Sequence, residues 1–195
     1  MLTDLPNVLT LSRIAAIPLL VLLTAIRAPW ADFGAALLFT LAGITDYFDG
    51  KLARERAQLS DLGRMLDPIA DKLLISATLM CLIGFHHMPS FGIYPAIIIM
   101  LREILVSGLR EYLADLRIGL PVTRLAKWKT GVQMLALGLL LLGDKGIYFL
   151  CHLHLPVGMT GFVLLWIAAA LTLITGWDYL TAGLRHVGAP SHRAS

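Results

Sequence analysis

Charge is the first thing this sequence has little of. Only 15% of its 195 residues are Asp, Glu, Lys or Arg, against 57% hydrophobic, where a soluble domain carries about a quarter charged residues. The mean hydropathy of +0.77 points to burial in a bilayer rather than in an aqueous fold. Cysteine is also scarce. Cys81 and Cys151 have no metal-type spacing and imply no disulfide framework, so free thiols are expected. A net charge of +3 without a basic-aromatic platform argues against nucleic acid as a partner. The stretch from Met1 to Pro6 carries Asp4 and no basic residue, and no small-residue cleavage site follows. The first apolar run is therefore expected to stay as a membrane helix rather than leave as a signal peptide. Low-complexity tracts, long linkers and internal repeats are absent from the sequence as well, which leaves a single domain over 1–195.

What the sequence has in plenty is long apolar runs. A spanning helix needs about 20 predominantly apolar residues. Six segments qualify if each extends past the bilayer at one end: 7–27, 31–56, 62–85, 90–116, 124–144 and 158–187. Pro6, Pro29, Gly63, Pro89, Pro121 and Pro156 punctuate the joints. The fold expected is all-α and polytopic, with six transmembrane helices. Arg27 and Lys145 fall at one set of joints. Lys51, Arg54, Arg56, Arg64, Arg117, Arg124, Lys127, Lys129, Arg185 and Arg193 fall near the opposite side. The excess of basic residues marks that side, and both termini with it, as cytoplasmic.

The acids are concentrated on the same side. Asp46, Asp49, Gly50 and Ala53 stand at i, i+3, i+4 and i+7, one face of a helix whose small residues admit a close neighbour or ligand. Asp67 and Asp71, at i and i+4, share a face of the next segment. A short connection makes the second and third helices antiparallel neighbours in this reading, so four carboxylates converge at one depth. Each Asp placed near a bilayer centre costs roughly 2.5–3.5 kcal/mol, and like charges crowded together repel. Divalent cations answer both costs, and all-oxygen ligation selects Mg²⁺, Mn²⁺ or Ca²⁺ over Zn²⁺. A pair of ions bridged by carboxylates suits phosphoryl chemistry. The plainer alternative is a solvated cluster in which these acids pair with Lys51, Arg54, Arg64 and Lys72.

The whole string decides between them. Asp46-x2-Asp49-Gly50-x2-Ala53-Arg54-x8-Gly63-x3-Asp67-x3-Asp71 specifies eight residues across 26 positions, and it resembles the signature of the CDP-alcohol phosphotransferases without a departure. That resemblance implies a six-helix membrane enzyme, usually a homodimer, with its site open to the cytoplasmic half of the bacterial inner membrane. It implies metal, Mg²⁺ or Mn²⁺ and two ions, held by Asp46, Asp49, Asp67 and Asp71, with Asp71 as general base. It further implies that Asp49, Gly50, Ala53, Arg54 and Gly63 receive the cytidine diphosphate of CDP-diacylglycerol.

Three further stretches, Leu5-Pro6-Asn7-Val8-Leu9-Thr10-Leu11-Ser12-Arg13, Leu101 to Glu111 (LREILVSGLRE) and Ala126-Lys127-Trp128-Lys129-Thr130, resemble the bacterial members whose acceptor is sn-glycerol 3-phosphate. Arg102, Glu103 and Arg110 can share one side of the fourth helix, and Lys127 and Thr130 one side of the fifth. A phosphorylated acceptor needs cationic donors. Arg110 and Lys127 are the foremost candidates, with Arg102 and Lys129 behind them. Lys127 and Lys129 lie about 200° apart around a helix, which puts them on different faces. For Arg102, an ion pair with a neighbouring acid that orients the helix is an equal alternative.

The chemistry expected is attack of the glycerol 3-phosphate hydroxyl on the lipid-side phosphorus, with CMP leaving. Direct displacement is favoured over a phosphatidyl-enzyme on Asp71, since no Ser-His or Cys-His pair is apparent. Competing readings are a sister transferase using inositol phosphate or serine, and a cation transporter. The acids gather toward one membrane side, unlike the midplane sites of transporters built from inverted repeats. His86-His87 and His152-x-His154 lack the i, i+4 spacing of helical zinc motifs. Trp30, Trp128, Trp166, Trp177, Tyr94 and Tyr179 read as interface anchors or packing, and Gly131, Gly138 and Gly161 as points of close helix approach.

Overall fold

The structure, a computed structural model, describes residues 5–56, 61–115, 124–152 and 154–187; within these, the side chains of 5–7, 46–56, 61–65, 67, 115, 124, 182 and 184–187 lie outside the described set. The described residues form six long helices: α1 (Leu5–Ile26), α2 (Pro29–Arg56), α3 (Asp61–Gly84), α4 (Ile93–Asp115), α5 (Arg124–Cys151) and α6 (Val157–Val187). A 3₁₀ turn at Ser90–Gly92 leads into α4. The six expected segments match these helices closely. The difference lies in α5, which continues to Cys151 but is interrupted at Gly143, whose φ of 57° and ψ of 178° are non-helical. Only glycine takes such a conformation without steric cost, so Gly143 ends the long helix and the residues up to Cys151 form a separate short one.

Among the described residues, four helical stretches are long and apolar enough to cross a bilayer: Val8–Ile26, Ser90–Ala114, Leu125–Cys151 and Val157–Thr181. The apolar part of α2, Pro29–Thr45, is shorter. Its second half bears the charged motif, and α3 likewise begins with charge and becomes apolar only after Lys72. Many large apolar side chains point outward, among them Leu22, Met80, Leu101, Ile104 and Trp177, each more than 60% exposed. In water that surface would aggregate; against lipid it is the ordinary exterior of a membrane protein.

Packing runs through α5, which lies against both α2 and α6, while α6 also covers α4. Small residues set the spacing. A Cβ on Gly161 would stand 3.0 Å from the Leu140 nitrogen and 3.1 Å from the Ala136 oxygen, so α6 approaches the α5 backbone directly there. Gly131 and Gly138 have open space at that position, and the close approach expected of them is not made. The core between the helices is built from Leu20, Phe39, Leu79, Ile99, Leu137 and Leu165. Thr24 and Thr78 are buried and donate to carbonyls one turn back, Leu20 and Leu74, which satisfies a hydroxyl in an apolar interior.

The ends of α2 and α3 where the expected pairing falls lie outside the described side chains. Among the described residues, α1 packs against both α2 and α3.

Candidate active site

The helical backbone of α2 continues through Asp46, Asp49, Gly50, Ala53 and Arg54, and that of α3 through Gly63, Asp67 and Asp71. The one-face spacing inferred for both sets therefore has the helix it requires. The side chains of Asp46, Asp49, Ala53, Arg54 and Asp67 lie outside the described residues, as do the surroundings of Gly50 and Gly63. The convergence expected of the four carboxylates thus falls outside the described side chains.

Asp71 is described. Its Oδ1 accepts a hydrogen bond from Nη1 of Arg13 on α1 at 2.6 Å. Arg13 is 2% exposed and Asp71 half exposed. A guanidinium buried in an apolar bundle is tolerated only when paired, and here the pair joins the first helix to the carboxylate that ends the signature. The neighbouring Lys72 turns to the other side, where its ammonium bonds the Ser107 hydroxyl of α4 and lies 3.9 Å from Glu111. Asp71 and Lys72 thus tie α3 to α1 and to α4 respectively. One described partner of Asp71 is thus a buried arginine from a distant part of the chain.

Two basic residues of α4, Arg102 and Arg110, gather around Tyr179 of α6. The guanidinium carbons of Arg102 and Arg110 lie 5.6 and 5.5 Å from its ring centroid, within cation–π range. Nη2 of Arg110 lies 3.4 Å from the Tyr179 hydroxyl, and Nη2 of Arg102 donates to Thr175 at 3.1 Å. Gly176 makes room for this arrangement, since a Cβ there would stand 2.9 Å from Cγ of Arg102. The shared side inferred for Arg102 and Arg110 is therefore present.

Lys129, 4% exposed, forms an ion pair and hydrogen bond with Glu103. Arg102 also lies 3.8 Å from Glu103, the orienting pair named as the alternative for it. Lys127 and Arg110 are exposed, so the two lysines do occupy different faces of α5. Two of the four candidate acceptor cations are engaged inside the bundle, and two are presented outward.

The sequence reading assigned no role to Arg13 or Thr175, and it placed Tyr179 among anchors and packing. Arg13 stood inside a quoted motif, but nothing local marks its partner 58 residues away. Tyr179 is 3% exposed and reads as one more aromatic in an apolar run until the α4–α6 contact is known.

Among the described residues no cluster of three or more His, Cys, Asp or Glu is gathered as metal ligands. The signature aspartates offer carboxylate oxygen alone, a donor set that fits hard divalent cations, and Asp71 keeps a half-exposed carboxylate consistent with that use.

Residues 3–174 match the CDP-alcohol phosphatidyltransferase family. The chain is 46% identical over 179 residues to a protein of Rickettsia bellii, covering 92% of this chain and 94% of that one. It is 40% identical to a protein of Cereibacter sphaeroides, with 94% and 97% covered. To a protein of Escherichia coli K12 it is 39% identical, with 92% and 94% covered. All three relatives are named CDP-diacylglycerol–glycerol-3-phosphate 3-phosphatidyltransferase.

Proposed function

Because the chain belongs to the CDP-alcohol phosphatidyltransferase family, we propose that it transfers the phosphatidyl group of CDP-diacylglycerol to sn-glycerol 3-phosphate, giving phosphatidylglycerol phosphate and CMP. The observation that carries this reading is the 39–46% identity, across more than nine-tenths of the chain, to transferases of that name.

In this reading the protein is one membrane domain of six spans in a bacterial inner membrane, a homodimer, with its termini and site on the cytoplasmic side. Asp46, Asp49, Asp67 and Asp71 hold divalent metal, Mg²⁺ or Mn²⁺, which when bound supplies charge stabilisation for the diphosphate. Asp49, Gly50, Ala53, Arg54 and Gly63 receive the cytidine diphosphate. Asp71 accepts the proton of the attacking hydroxyl, and Arg13 fixes the carboxylate's orientation through Oδ1. Arg110 and Lys127 bind the acceptor phosphate, with Arg102 and Lys129 behind them. Glu103 anchors Lys129, and Tyr179 holds Arg110 in place. In-line transfer of this kind depends mainly on positioning and charge, which suits a site assembled from ion-paired helices.

The test is CMP release by detergent-purified protein given CDP-diacylglycerol, Mg²⁺ and one acceptor at a time. Release with glycerol 3-phosphate alone, abolished by chelator, is the expected outcome. Release with inositol phosphate or serine instead would overturn the acceptor assignment, and release with none from folded protein would overturn the reaction.

A further inference from the structure

Three chain breaks meet at the end of the bundle away from Asp71. Arg27 follows the end of α1, His86 lies just past the end of α3, and Gly143 ends the long part of α5; all three take positive φ values of 55–57°. At His86 the amide bonds to Ile83, and the next amide to Leu82, the Schellman closure that normally takes glycine. Between these breaks lies a cavity of about 200 Å³ lined by Arg27, Asp32, His86, His87, Asp144 and Lys145, with Gly143 at its edge.

Asp32 makes this cavity more than a gap between loops. Its side chain is 5% exposed and its Oδ1 is buried without a hydrogen-bond partner, a costly state for a carboxylate. Arg27, His87 and Lys145 line the cavity with it. The other groups are partly committed. Asp144 accepts the Gly158 amide at 2.8 Å, and His87 Nε2 lies 3.1 Å from the Thr24 carbonyl, which obliges that nitrogen to donate. The acids and histidines here are not gathered as metal ligands among the described residues. Arg27 and Lys145 stand against Asp32 and Asp144, so the lining carries separated charges of both signs. A purely anionic or cationic guest would leave one sign uncompensated; a zwitterion compensates both. Trp30, Tyr148 and Phe149 are exposed at the same end, and Phe149 sits 6.5 Å from Phe33. Aromatic side chains of this kind mark the headgroup level of a bilayer.

We propose that this cavity binds the headgroup of a zwitterionic phospholipid bearing a primary ammonium, with the ammonium donating to Asp32 and the phosphodiester held by Arg27 and Lys145. This rests on the helices spanning a membrane and not on the reaction proposed above.

Delipidated protein in detergent, examined by native mass spectrometry with phosphatidylethanolamine, phosphatidylcholine and phosphatidylglycerol of matched acyl chains, tests it. Phosphatidylethanolamine adducts should exceed phosphatidylcholine adducts about tenfold, the effect of one charge-assisted hydrogen bond that a trimethylammonium cannot make. Asp32→Asn should remove that preference and leave CMP release unchanged. Should Asp32→Asn fail to fold, Lys145→Met provides the second test and should weaken phosphatidylethanolamine retention. Equal retention of the three lipids, preference for phosphatidylglycerol, or an unchanged profile in either folded variant would overturn the proposal. Free phosphoethanolamine should compete only far above the lipid concentration; competition at equal concentration would overturn the lipid assignment in favour of a soluble ligand.

Discussion

Arg13 and Asp71 meet at 2.6 Å although 58 residues separate them, and the pair sets two expectations at the scale of single residues. Asp71→Asn keeps the size of the side chain and loses its basicity. CMP release should fall by about 10²–10⁴, the usual contribution of a general base, while CDP-diacylglycerol binding persists; wild-type turnover would remove Asp71 from that role. Arg13→Gln leaves Asp71 in place but unsupported. The expected result is a kcat lower by about 10²-fold, as small misplacements of reacting groups produce, with little change in KM for the lipid donor. Measured saturation kinetics in which KM rises and kcat holds would instead make Arg13 a binding residue. The acid in this pair was readable from the sequence because its spacing is local. Its partner was not, because no periodicity links α1 to α3.

Between elements, glycine position separates packing from mere composition. Gly161 lies against the α5 backbone, whereas Gly138 faces open space. Gly161→Leu should lower stability by about 1–3 kcal/mol or more through overpacking. Gly138→Ala should be neutral or raise it by up to about 1 kcal/mol through helix propensity. Thermal unfolding in detergent reads both, and equal effects would contradict the packing described. Glu103 and Lys129 couple α4 to α5 in the same way. Removing one charge leaves the other unpaired in the bundle, so Lys129→Met and Glu103→Gln should each cost about 3 kcal/mol. The double variant should recover most of that loss in a double-mutant cycle; simple additivity would show that the pair contributes nothing.

At the scale of the whole molecule the two ends of the bundle differ in chemistry. One carries the signature motif, Arg110 and Lys127; the other carries Arg27, His86, Lys145 and the exposed Cys151. With the signature end cytoplasmic, a membrane-impermeant maleimide should label Cys151 from outside in intact spheroplasts. Buried Cys81 should stay unlabelled until the protein is denatured. Labelling of Cys151 only after permeabilisation would invert the orientation.

The number of helices, their approximate ends and the faces bearing the aspartates follow from runs of apolar residues, punctuating prolines and 3.6-residue spacing, all properties of neighbours along the chain. The break of α5 at Gly143 was legible only as the end of an apolar run, since nothing showed that helix would resume at once. Which helices touch was decided in three dimensions: α1 packs against both α2 and α3, and α6 brings Tyr179 to Arg102 and Arg110. In an apolar bundle almost any helix face can meet another, so the pattern of hydrophobicity does not choose partners. Buried polar side chains and close backbone contacts do, because Arg13, Lys129 and Gly161 each accept very few neighbours.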